Sequence, residues 1–261
     1  TIFKNAIQER HSGTPFGNAI RERHLGTLFG NTIWNQEKNI RQSVESTFSN
    51  KCRIEVVVLD DGSTDNTFKI LKSISVPKKI SLKIKKQKKS GSMGANMHEL
   101  YSSALGEYVV ELGSDDYLIP GALDDLFLEA KNNPDAGLIY SGYYVKKGGK
   151  IFGPTPAPEN TYYHWSNNPE IRLLENNFVT PPCAFKRSLY DTVKYDVDQE
   201  INEDYLFKLE LSRVTKFHQL KKPLAVIRVR DDSISNNPKN KDKMRYWENV
   251  AREKVIKKYG K

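Results

Sequence analysis

Short apolar runs alternate with segments of helical periodicity through the middle of this chain. Residues 54–59 read Ile-Glu-Val-Val-Val-Leu, a β-branched run that is typical of a strand buried on both faces of a sheet. A polar turn follows, after which Phe68, Leu71 and Ile74 recur at helical spacing. Because strands that alternate with helices build mostly parallel sheets covered on both faces, the sequence predicts an α/β fold.

The same alternation continues as far as residue 140. Further strands are predicted at residues 80–84, 108–112 and 136–140, and a helix is predicted at residues 93–104. Pro120 is expected to open another helix, because the first turn does not need the N–H that proline lacks. The apolar face of that helix is predicted to consist of Leu123, Leu126, Phe127 and Ala130.

The second half of the chain is less regular. A hairpin turn is predicted at residues 146–150, a loop over a binding site at residues 154–168, and a C-terminal helix at residues 241–258. We find no linker that would separate two independent domains.

An unusual repeat opens the chain. Residues 3–11 (FKNAIQERH) are echoed by residues 16–24 (FGNAIRERH), and residues 29–33 form a partial third copy. The spacing of about 13 residues is shorter than solenoid periods, so we interpret the first two copies as an appendage. The repeated His11 and His24 are interpreted as surface residues, with a ligand role as the alternative.

Charge and cysteine content limit which partners and which cellular location are expected. The chain has 261 residues and a formal net charge of +9, which suits anionic partners such as nucleotides, nucleic acid or acidic lipid surfaces without choosing among them. Cys52 and Cys183 lie far apart and predict neither a disulfide framework nor a zinc site. No apolar run approaches the roughly 18 residues that span a bilayer, so we expect a cytoplasmic location. Since the sequence begins with Thr1 and not methionine, a missing anchor stays an open alternative.

The first acidic cluster, Asp60-Asp61-Gly62-Ser63-Thr64-Asp65, directly follows the strand at residues 54–59. Ligands of open α/β sheets bind at the carboxyl ends of the strands, where a carboxylate can accept hydrogen bonds from a base N–H or ribose hydroxyls. The alternative is helix capping by Ser63, Thr64 or Asp65, which leaves two adjacent aspartates before the glycine unexplained.

A second cluster, Ser114-Asp115-Asp116, follows the strand at residues 108–112. Hard divalent cations take oxygen ligands and bridge carboxylates to diphosphate oxygens, so the pair is a candidate metal site. The alternative is a turn before Pro120.

The third cluster, Glu203-Asp204, opens a predicted helix. Asp204 is a candidate general base, and such assistance is worth roughly 10²- to 10⁴-fold in rate. Stabilisation by the helix dipole is the alternative explanation for acidic residues at this place.

The order and spacing of the three clusters resemble family 2 glycosyltransferases, whose fold is called GT-A. The resemblance covers roughly residues 28–235. It is carried by TIWNQEKNI at residues 32–40, VVLDDGSTD at 57–65, ALGEY at 104–108, GSDD at 113–116, NEDY at 202–205 and RVR at 228–230. It implies a Rossmann-like, mostly parallel central sheet flanked by helices, with a less regular acceptor-side C-terminal half.

This resemblance implies roles for individual residues. Thr32 and Trp34 match positions that hold or stack on the nucleotide base, and Asp61 matches the carboxylate that reads the base, commonly uracil. Asp115 and Asp116 match the metal motif, with Asp116 as the direct ligand and Asp115 on the nucleotide-sugar side. Asp204 matches the catalytic base of inverting members. The resemblance thus assigns donor binding to Thr32, Trp34, Asp61 and Asp115, metal binding to Asp116 and catalysis to Asp204.

The implied reaction moves a sugar, with inversion, from a nucleotide-sugar (UDP in the first instance) to a hydroxyl of a glycan or glycolipid acceptor, with Mn or Mg as cofactor. The resemblance divides the chain into an appendage (1–27), a nucleotide-sugar-binding half (28–140), an acceptor-binding half (141–235) and a helical tail (236–261). Bacterial surface-polysaccharide synthesis is the expected setting, with contact at the inner membrane surface as an addition to the cytoplasmic location.

Several residues depart from the family pattern. Asn31 ends a first strand that usually ends in proline, Ala95 replaces an arginine, Gly113 replaces the first aspartate of the metal motif, and Arg230 replaces a histidine. These departures leave an inactive nucleotide-sugar-binding or scaffold protein as the alternative function. Nucleic acid is not expected as a partner, because the lysine runs are not interleaved with aromatic residues.

The remaining histidines and aromatics are ambiguous in sequence. Structural or surface roles are expected for His98, His164 and His218. Stacking on sugar rings and packing under a long loop both stay open for Tyr143, Tyr144, Tyr162, Tyr163 and Trp165.

Overall fold

The computed structural model describes residues 27–29, 31–155, 173–174, 177–230, 233 and 237–260. The first two copies of the N-terminal repeat, His164, and Tyr162, Tyr163 and Trp165 of the predicted loop lie outside these residues.

The first half of the chain forms parallel strands. β2 (Asn31–Ile33) pairs with β3 (Ile54–Asp60), which pairs with β4 (Ile80–Lys86). β1 (Thr27–Phe29), which immediately precedes β2, pairs with β5 (Tyr108–Glu111). All three pairings are parallel, so the short segment of β1 and β2 links two sheets, one at each of its ends.

Antiparallel pairs enter in the second half. β9 (Cys183–Lys186) lies between β5 and β7 (Ala136–Lys147) and is antiparallel to both. β10 (Lys216–Arg228) runs parallel to β7 and antiparallel to β6 (Tyr117–Leu118), while β8 (Lys150–Thr155) forms a hairpin with β7. The sheet order is β1-β5-β9-β7-β10-β6. The predicted α/β fold is confirmed, and the less regular half is where the strand direction alternates.

Six helices are described, and each predicted one is present. They are α1 (Ile40–Glu45), α2 (Thr67–Lys72), α3 (Met93–Ser102), α4 (Ala122–Asn132), α5 (Glu203–Ser212) and α6 (Lys241–Tyr259), with 3₁₀ turns at Ser46–Ser49, Arg187–Asp191 and Pro238–Asn240. α4 begins at Ala122, two residues after Pro120, and its N-cap is Gly121, whose φ of 74° lies in the left-handed region. Pro120 therefore lies just before the cap and not in the first turn of the helix, where it was predicted. Among the described helices, none combines the length and apolar character needed to cross a membrane.

β3 shows why the sheet is covered on both faces. All seven of its residues are buried. Val56 and Val58 belong to the core that includes α1, α2 and α4, whereas Val57 and Leu59 belong to the core that includes α3, α5 and α6. Because successive side chains of a strand point to opposite faces, this one apolar run stabilises both layers, at roughly 1.5–3 kcal/mol for each fully buried side chain.

Candidate active site

The carboxyl ends of four strands lie at one edge of the sheet. β2, β3 and β4 are mutually parallel, and β1, directly before β2, is parallel to β5. The loops that follow these strands leave from the same edge, which is where open α/β sheets bind ligands. Asp61 lies in the loop after β3, and Asp115 and Asp116 lie in the loop after β5.

Hydrogen bonds fasten the loop after β2 to the loop after β3. The backbone N–H of Asn35 donates to Ser63 Oγ (3.0 Å), and that of Glu37 donates to Asp65 Oδ2 (3.1 Å). Asn35 Oδ1 accepts from the backbone N–H of Thr64 (2.9 Å). The polar residues after β3 therefore hold the segment that carries Trp34. Helix capping, the alternative considered for Ser63, Thr64 and Asp65, does not account for these contacts.

Asp61 is buried and points into the loop after β4. Its Oδ1 accepts from Gln87 Nε2 (2.8 Å) and from the backbone N–H of Ser90 (2.8 Å), and its Oδ2 accepts from Ser90 Oγ (3.2 Å). Burial alone would raise the pKa of Asp61, but these hydrogen bonds outweigh it and hold the pKa below its usual value. The structure thus provides an ionised, oriented carboxylate, and its role in reading a base stays a prediction.

Thr32 and Trp34 flank Ile33, whose carbonyl oxygen accepts a hydrogen bond from the backbone N–H of Asp61 (2.9 Å). Thr32, at the end of β2, is half-buried, and its hydroxyl faces Met97 Sδ at 4.0 Å. Trp34 is 47% exposed, and Lys89 Nζ lies 3.4 Å from the centroid of its ring. An exposed indole under an ammonium group is a cation–π arrangement that a planar, anionic ligand can join. The stacking role predicted for Trp34 stays a prediction.

Asp115 and Asp116 meet the end of β10. Asp116 Oδ1 accepts from the backbone N–H of Arg228 (2.7 Å), and Asp115 Oδ2 lies 3.4 Å from Arg230 Nε. The guanidinium of Arg228 also donates to the carbonyl oxygen of Asp115. Arg230 reaches further, to Gln36 Oε1 at 3.3 Å, and so connects the acidic pair to the loop after β2.

The environment of Asp116 disfavours its charge. Burial, followed by repulsion from Asp115, raises the pKa of Asp116 to about 7, although the backbone N–H and charge of Arg228 and the charge of Arg230 oppose the rise. A divalent cation at this carboxylate would favour its ionised form.

The acidic pair fits a cation that shares its coordination with a donor. Among the residues described, no group of three His, Cys, Asp or Glu side chains is arranged to hold a metal ion. Asp115 and Asp116 supply two carboxylates, and Mg²⁺ in phosphate-binding sites takes one or two carboxylates together with substrate phosphates and water. The residues present are therefore compatible with Mn or Mg bound with a diphosphate.

Asp204 reaches the same region through a buried lysine. It lies in the first turn of α5, and its Oδ2 is 2.8 Å from Lys208 Nζ. Lys208 Nζ also lies 3.3 Å from Oε2 of Glu111, the last residue of β5. Asp204 is thus tied to the carboxyl end of the strand whose following loop carries Asp116.

The two acidic residues that open α5 differ in ionisation. Burial would raise the pKa of Asp204, but attraction to Lys208 and the hydrogen bonds that it accepts hold the pKa below its usual value. Burial and repulsion by Asp204 raise the pKa of Glu203 to about 8. At neutral pH Asp204 is the ionised member of the pair, as a general base must be.

The sequence reasoning missed Glu111, Lys208 and Arg228. Each carried a signal in its context. Glu111 is a charge inside an apolar strand, Lys208 is a charge inside an apolar helix segment, and Arg228 precedes the arginine already noted by two residues.

His98 and His218 make structural contacts, the role expected for them, whereas both alternatives stay open for Tyr143 and Tyr144. His98 Nδ1 bonds Tyr190 Oη at 2.9 Å, and His218 Nε2 bonds Glu129 Oε1 at 2.7 Å. Tyr144 packs against the core, and Tyr143 is half-buried on β7.

The sequence of the chain decides the family. Residues 32–194, more than half of the chain, match Glycosyl transferase family 2. The chain belongs to glycosyl transferase family 2. The family and the enzyme class predicted from the three acidic clusters are thereby confirmed.

Relatives and solved structures agree. An uncharacterized glycosyltransferase of Methanocaldococcus jannaschii is 26% identical over 211 residues, which are 78% of this chain and 71% of the relative. The poly(ribitol-phosphate) β-N-acetylglucosaminyltransferase TarS of Staphylococcus aureus is 34% identical over 188 residues, which are 68% of this chain and 30% of TarS. The chain spans about half the length of several other relatives.

Two structures share the fold of this glycosyltransferase. A fragment of S. aureus TarS in complex with UDP superposes with a TM-score of 0.64 at 21% identity, covering 87% of this chain and 64% of that chain. A mannosyltransferase of Pyrobaculum calidifontis, in complex with GDP-Man and Mn²⁺, superposes with a TM-score of 0.64 at 15% identity, covering 100% of this chain and 72% of that chain.

Proposed function

We propose that this family 2 glycosyltransferase moves a sugar from a UDP-sugar to an acceptor hydroxyl, with inversion and with the help of Mn²⁺ or Mg²⁺. The observation that carries the proposal is the double attachment to β5. Asp116 lies in the loop after this strand, and Asp204 is joined to the strand's last residue, Glu111, through Lys208. The predicted metal ligand and the predicted base are thus both tied to the carboxyl end of β5, which supports a joint role.

The loops after β2 and β3 are suited to the nucleoside. Thr32 and Trp34 would hold and stack on the base, and the ionised Asp61 would accept a hydrogen bond from it. The TarS fragment was crystallised with UDP, which supports a uridine nucleotide as the first candidate.

Asp116 would be the direct ligand of the cation, with Asp115 beside it on the donor side. When bound, the cation supplies charge stabilisation to the departing diphosphate. The mannosyltransferase crystallised with Mn²⁺ supports Mn²⁺ as the first ion to test. The guanidinium of Arg230, at Asp115, adds a fixed positive charge at the same edge.

Asp204 would take the proton from the acceptor hydroxyl. Attack of that oxygen on the anomeric carbon, opposite the bond that breaks, releases UDP and inverts the carbon. The proton ends on Asp204, and no covalent enzyme intermediate is needed. The role of Asp204 as base fits its side chain, which is ionised and 38% exposed.

We infer a glycan or glycolipid hydroxyl as acceptor, in surface-polysaccharide or glycoconjugate synthesis. TarS is a poly(ribitol-phosphate) transferase, which supports this class of acceptor. The cytoplasmic location and contact with a membrane surface stay predictions.

A donor screen with a base variant tests the proposal. Release of the nucleoside diphosphate is measured, UDP from UDP-GlcNAc and UDP-glucose and GDP from GDP-mannose, with Mn²⁺ and with EDTA, using poly(ribitol phosphate) or water as acceptor. We expect one UDP-sugar to be turned over in Mn²⁺, and we expect Asp204→Asn to lower that rate by roughly 10²- to 10⁴-fold while UDP binding is retained. Full turnover by Asp204→Asn would refute the assigned base.

The alternative is a nucleotide-sugar-binding protein without turnover, which Gly113 and Ala95 motivate as departures from the family pattern. Calorimetry with UDP and Mn²⁺ separates the two. Binding of UDP without turnover of any donor in the screen would favour the alternative.

A further inference from the structure

Lys208 is an ammonium group enclosed within the protein. Its side chain is 1% exposed and lies on α5, among apolar neighbours that include Phe207 and Leu209. Nζ contacts a carboxylate on each side, Asp204 Oδ2 at 2.8 Å and Glu111 Oε2 at 3.3 Å. One buried cation therefore bridges the predicted base and the end of the central strand.

Glu111 is fixed from the other side. Its Oε1 accepts from the hydroxyls of Tyr101 (3.0 Å) and Tyr195 (2.9 Å), and its Oε2 accepts from Cys183 Sγ (3.2 Å). These donors come from α3, from the segment before α5, and from β9. With both oxygens bound, Glu111 offers Lys208 a rigid anchor.

Stability alone is a weak reason for this arrangement. The desolvation of buried charges costs several kcal/mol for each ion, and apolar replacements of buried ion pairs are often neutral or stabilising. The ion pair is better explained by what it does to the exposed carboxylate at its other end.

We propose that Lys208 is a positioning residue for Asp204: its ammonium, anchored by Glu111, binds Oδ2 and leaves Oδ1 of an ionised carboxylate directed at the acceptor. This inference rests on the proposed function, in which Asp204 is the base.

The charges around Asp204 determine how the ammonium acts. Glu203 and Lys208 face it from α5, Glu111 from β5, Cys183 from β9 and Tyr195 from the preceding segment, while Asn177 donates a hydrogen bond to it. Burial raises the pKa of Tyr195 and Cys183 well above their usual values, so both are neutral at pH 7. Asp204 and Glu111 then carry the negative charges that Lys208 offsets.

Two variants should differ in the pH at which the acid limb of the kcat profile falls. Lys208→Met leaves two carboxylates close together, so the acid limb of the kcat profile moves up by about one pH unit or more. Glu111→Gln keeps the hydrogen bonds from the two tyrosines and makes Asp204 the remaining carboxylate at Lys208. The acid limb therefore stays or moves to lower pH. The double variant should return the limb toward the wild-type position, with a lower plateau. KM for the donor should change by less than about twofold in each, since none of these groups contacts the donor.

The experiment uses the full chain at saturating Mn²⁺, so that metal binding does not set the acid limb. Lys258→Met is the matched control, because it removes an ion pair from Lys258 on α6 to Glu210 on α5, the helix that also carries Lys208. In parallel, carbon-13 NMR of labelled aspartate carboxyls follows the titration of Asp204, which is assigned by its absence in Asp204→Asn. We expect Lys208→Met, and not Lys258→Met, to raise that titration midpoint.

The outcomes separate the two proposals. If Asp204→Asn abolishes transfer while Lys208→Met keeps the wild-type acid limb and NMR midpoint, Lys208 is only structural. If Asp204→Asn retains transfer, the base assignment fails and this inference fails with it. Should Lys208→Met not fold, Glu111→Gln still decides, because an upward shift of its acid limb contradicts the inference.

Discussion

Gly113 lies so close to Asp116 that a Cβ on Gly113 would be 2.3 Å from Asp116 Oδ2. This is closer than any real Cβ contact, so a side chain at position 113 requires Asp116 to move. Asp116 is buried and its Oδ1 is bound by the backbone N–H of Arg228. The glycine that departs from the family pattern is therefore matched to the present conformation of the predicted metal ligand.

Gly113→Ala should weaken metal-dependent donor binding. Moving Asp116 away from the Arg228 N–H removes the hydrogen bond that orients the predicted ligand, and the loss of such a partner typically costs about tenfold to a hundredfold in metal affinity. Calorimetry with UDP in Mn²⁺ measures the loss, and UDP in EDTA is the internal control. Unchanged affinity in Mn²⁺ would show that Asp116 is not the ligand in this conformation.

Trp34→Ala should lower the affinity for UDP by about tenfold or more, because base stacking on an aromatic side chain is worth about 1–3 kcal/mol. Trp34→Phe should keep most of the affinity. The exposed ring also makes a direct measurement available: UDP should quench tryptophan fluorescence in the wild type and not in Trp34→Phe. Quenching that persists in Trp34→Phe would place the base elsewhere.

Asp61→Asn should affect both stability and nucleotide binding. The amide oxygen of asparagine can keep the two donors at Oδ1, Gln87 Nε2 and the Ser90 N–H, but its NH₂ would face Ser90 Oγ, which now donates to Oδ2. The loss of one acceptor and of the charge that strengthens these hydrogen bonds costs about 1–3 kcal/mol. Asp124→Asn is the matched control, because Asp124 is also buried and accepts backbone hydrogen bonds, from Lys51 and Cys52, before the start of β3 and away from the loops that follow the strands. Both variants should lower Tm, but only Asp61→Asn should also weaken UDP binding beyond the effect of lost stability. Equal UDP affinity in the two variants would argue against base reading by Asp61.

Much of the first half of the fold follows from local sequence. The run at residues 54–59 was correctly predicted as a strand buried on both faces, since each of its apolar side chains lies in one core or the other. The second half resisted prediction for physical reasons. β10 contains Lys221, Lys222 and Pro223, which interrupt the apolar pattern of a strand, and the structure accommodates the proline at a shift of register with β7. The insertion of β9 between β5 and β7 is a long-range pairing that has no local signal.

The site was predictable to the extent that it follows strand ends. Carboxylates after β3 and β5 meet because parallel strands share an edge, which the pattern already implied. The link from Asp204 to Glu111 could not be predicted, because it runs through Lys208, whose contacts become visible only when α5 packs on β5.

Glu203→Gln should change how stability depends on pH. The folded pKa of Glu203 is raised to about 8, whereas a glutamate in an unfolded chain titrates near 4.3. Between these values the folded state binds a proton that the unfolded state has released. The free energy of unfolding therefore falls as pH rises through this window, by up to about 1.4 kcal/mol per unit, and levels off above the folded pKa.

Glutamine at position 203 imitates the protonated acid and removes this fall. Urea unfolding of the metal-free protein should give similar stability for wild type and Glu203→Gln at pH 5, and higher stability for Glu203→Gln at pH 9. Glu200→Gln is the control, since Glu200 is exposed and paired only with the exposed Lys243 among the residues described, and its curve should follow the wild type. Parallel curves for wild type and Glu203→Gln would mean that Glu203 is already ionised at neutral pH, and Asp204 would then share its cleft with a second full negative charge.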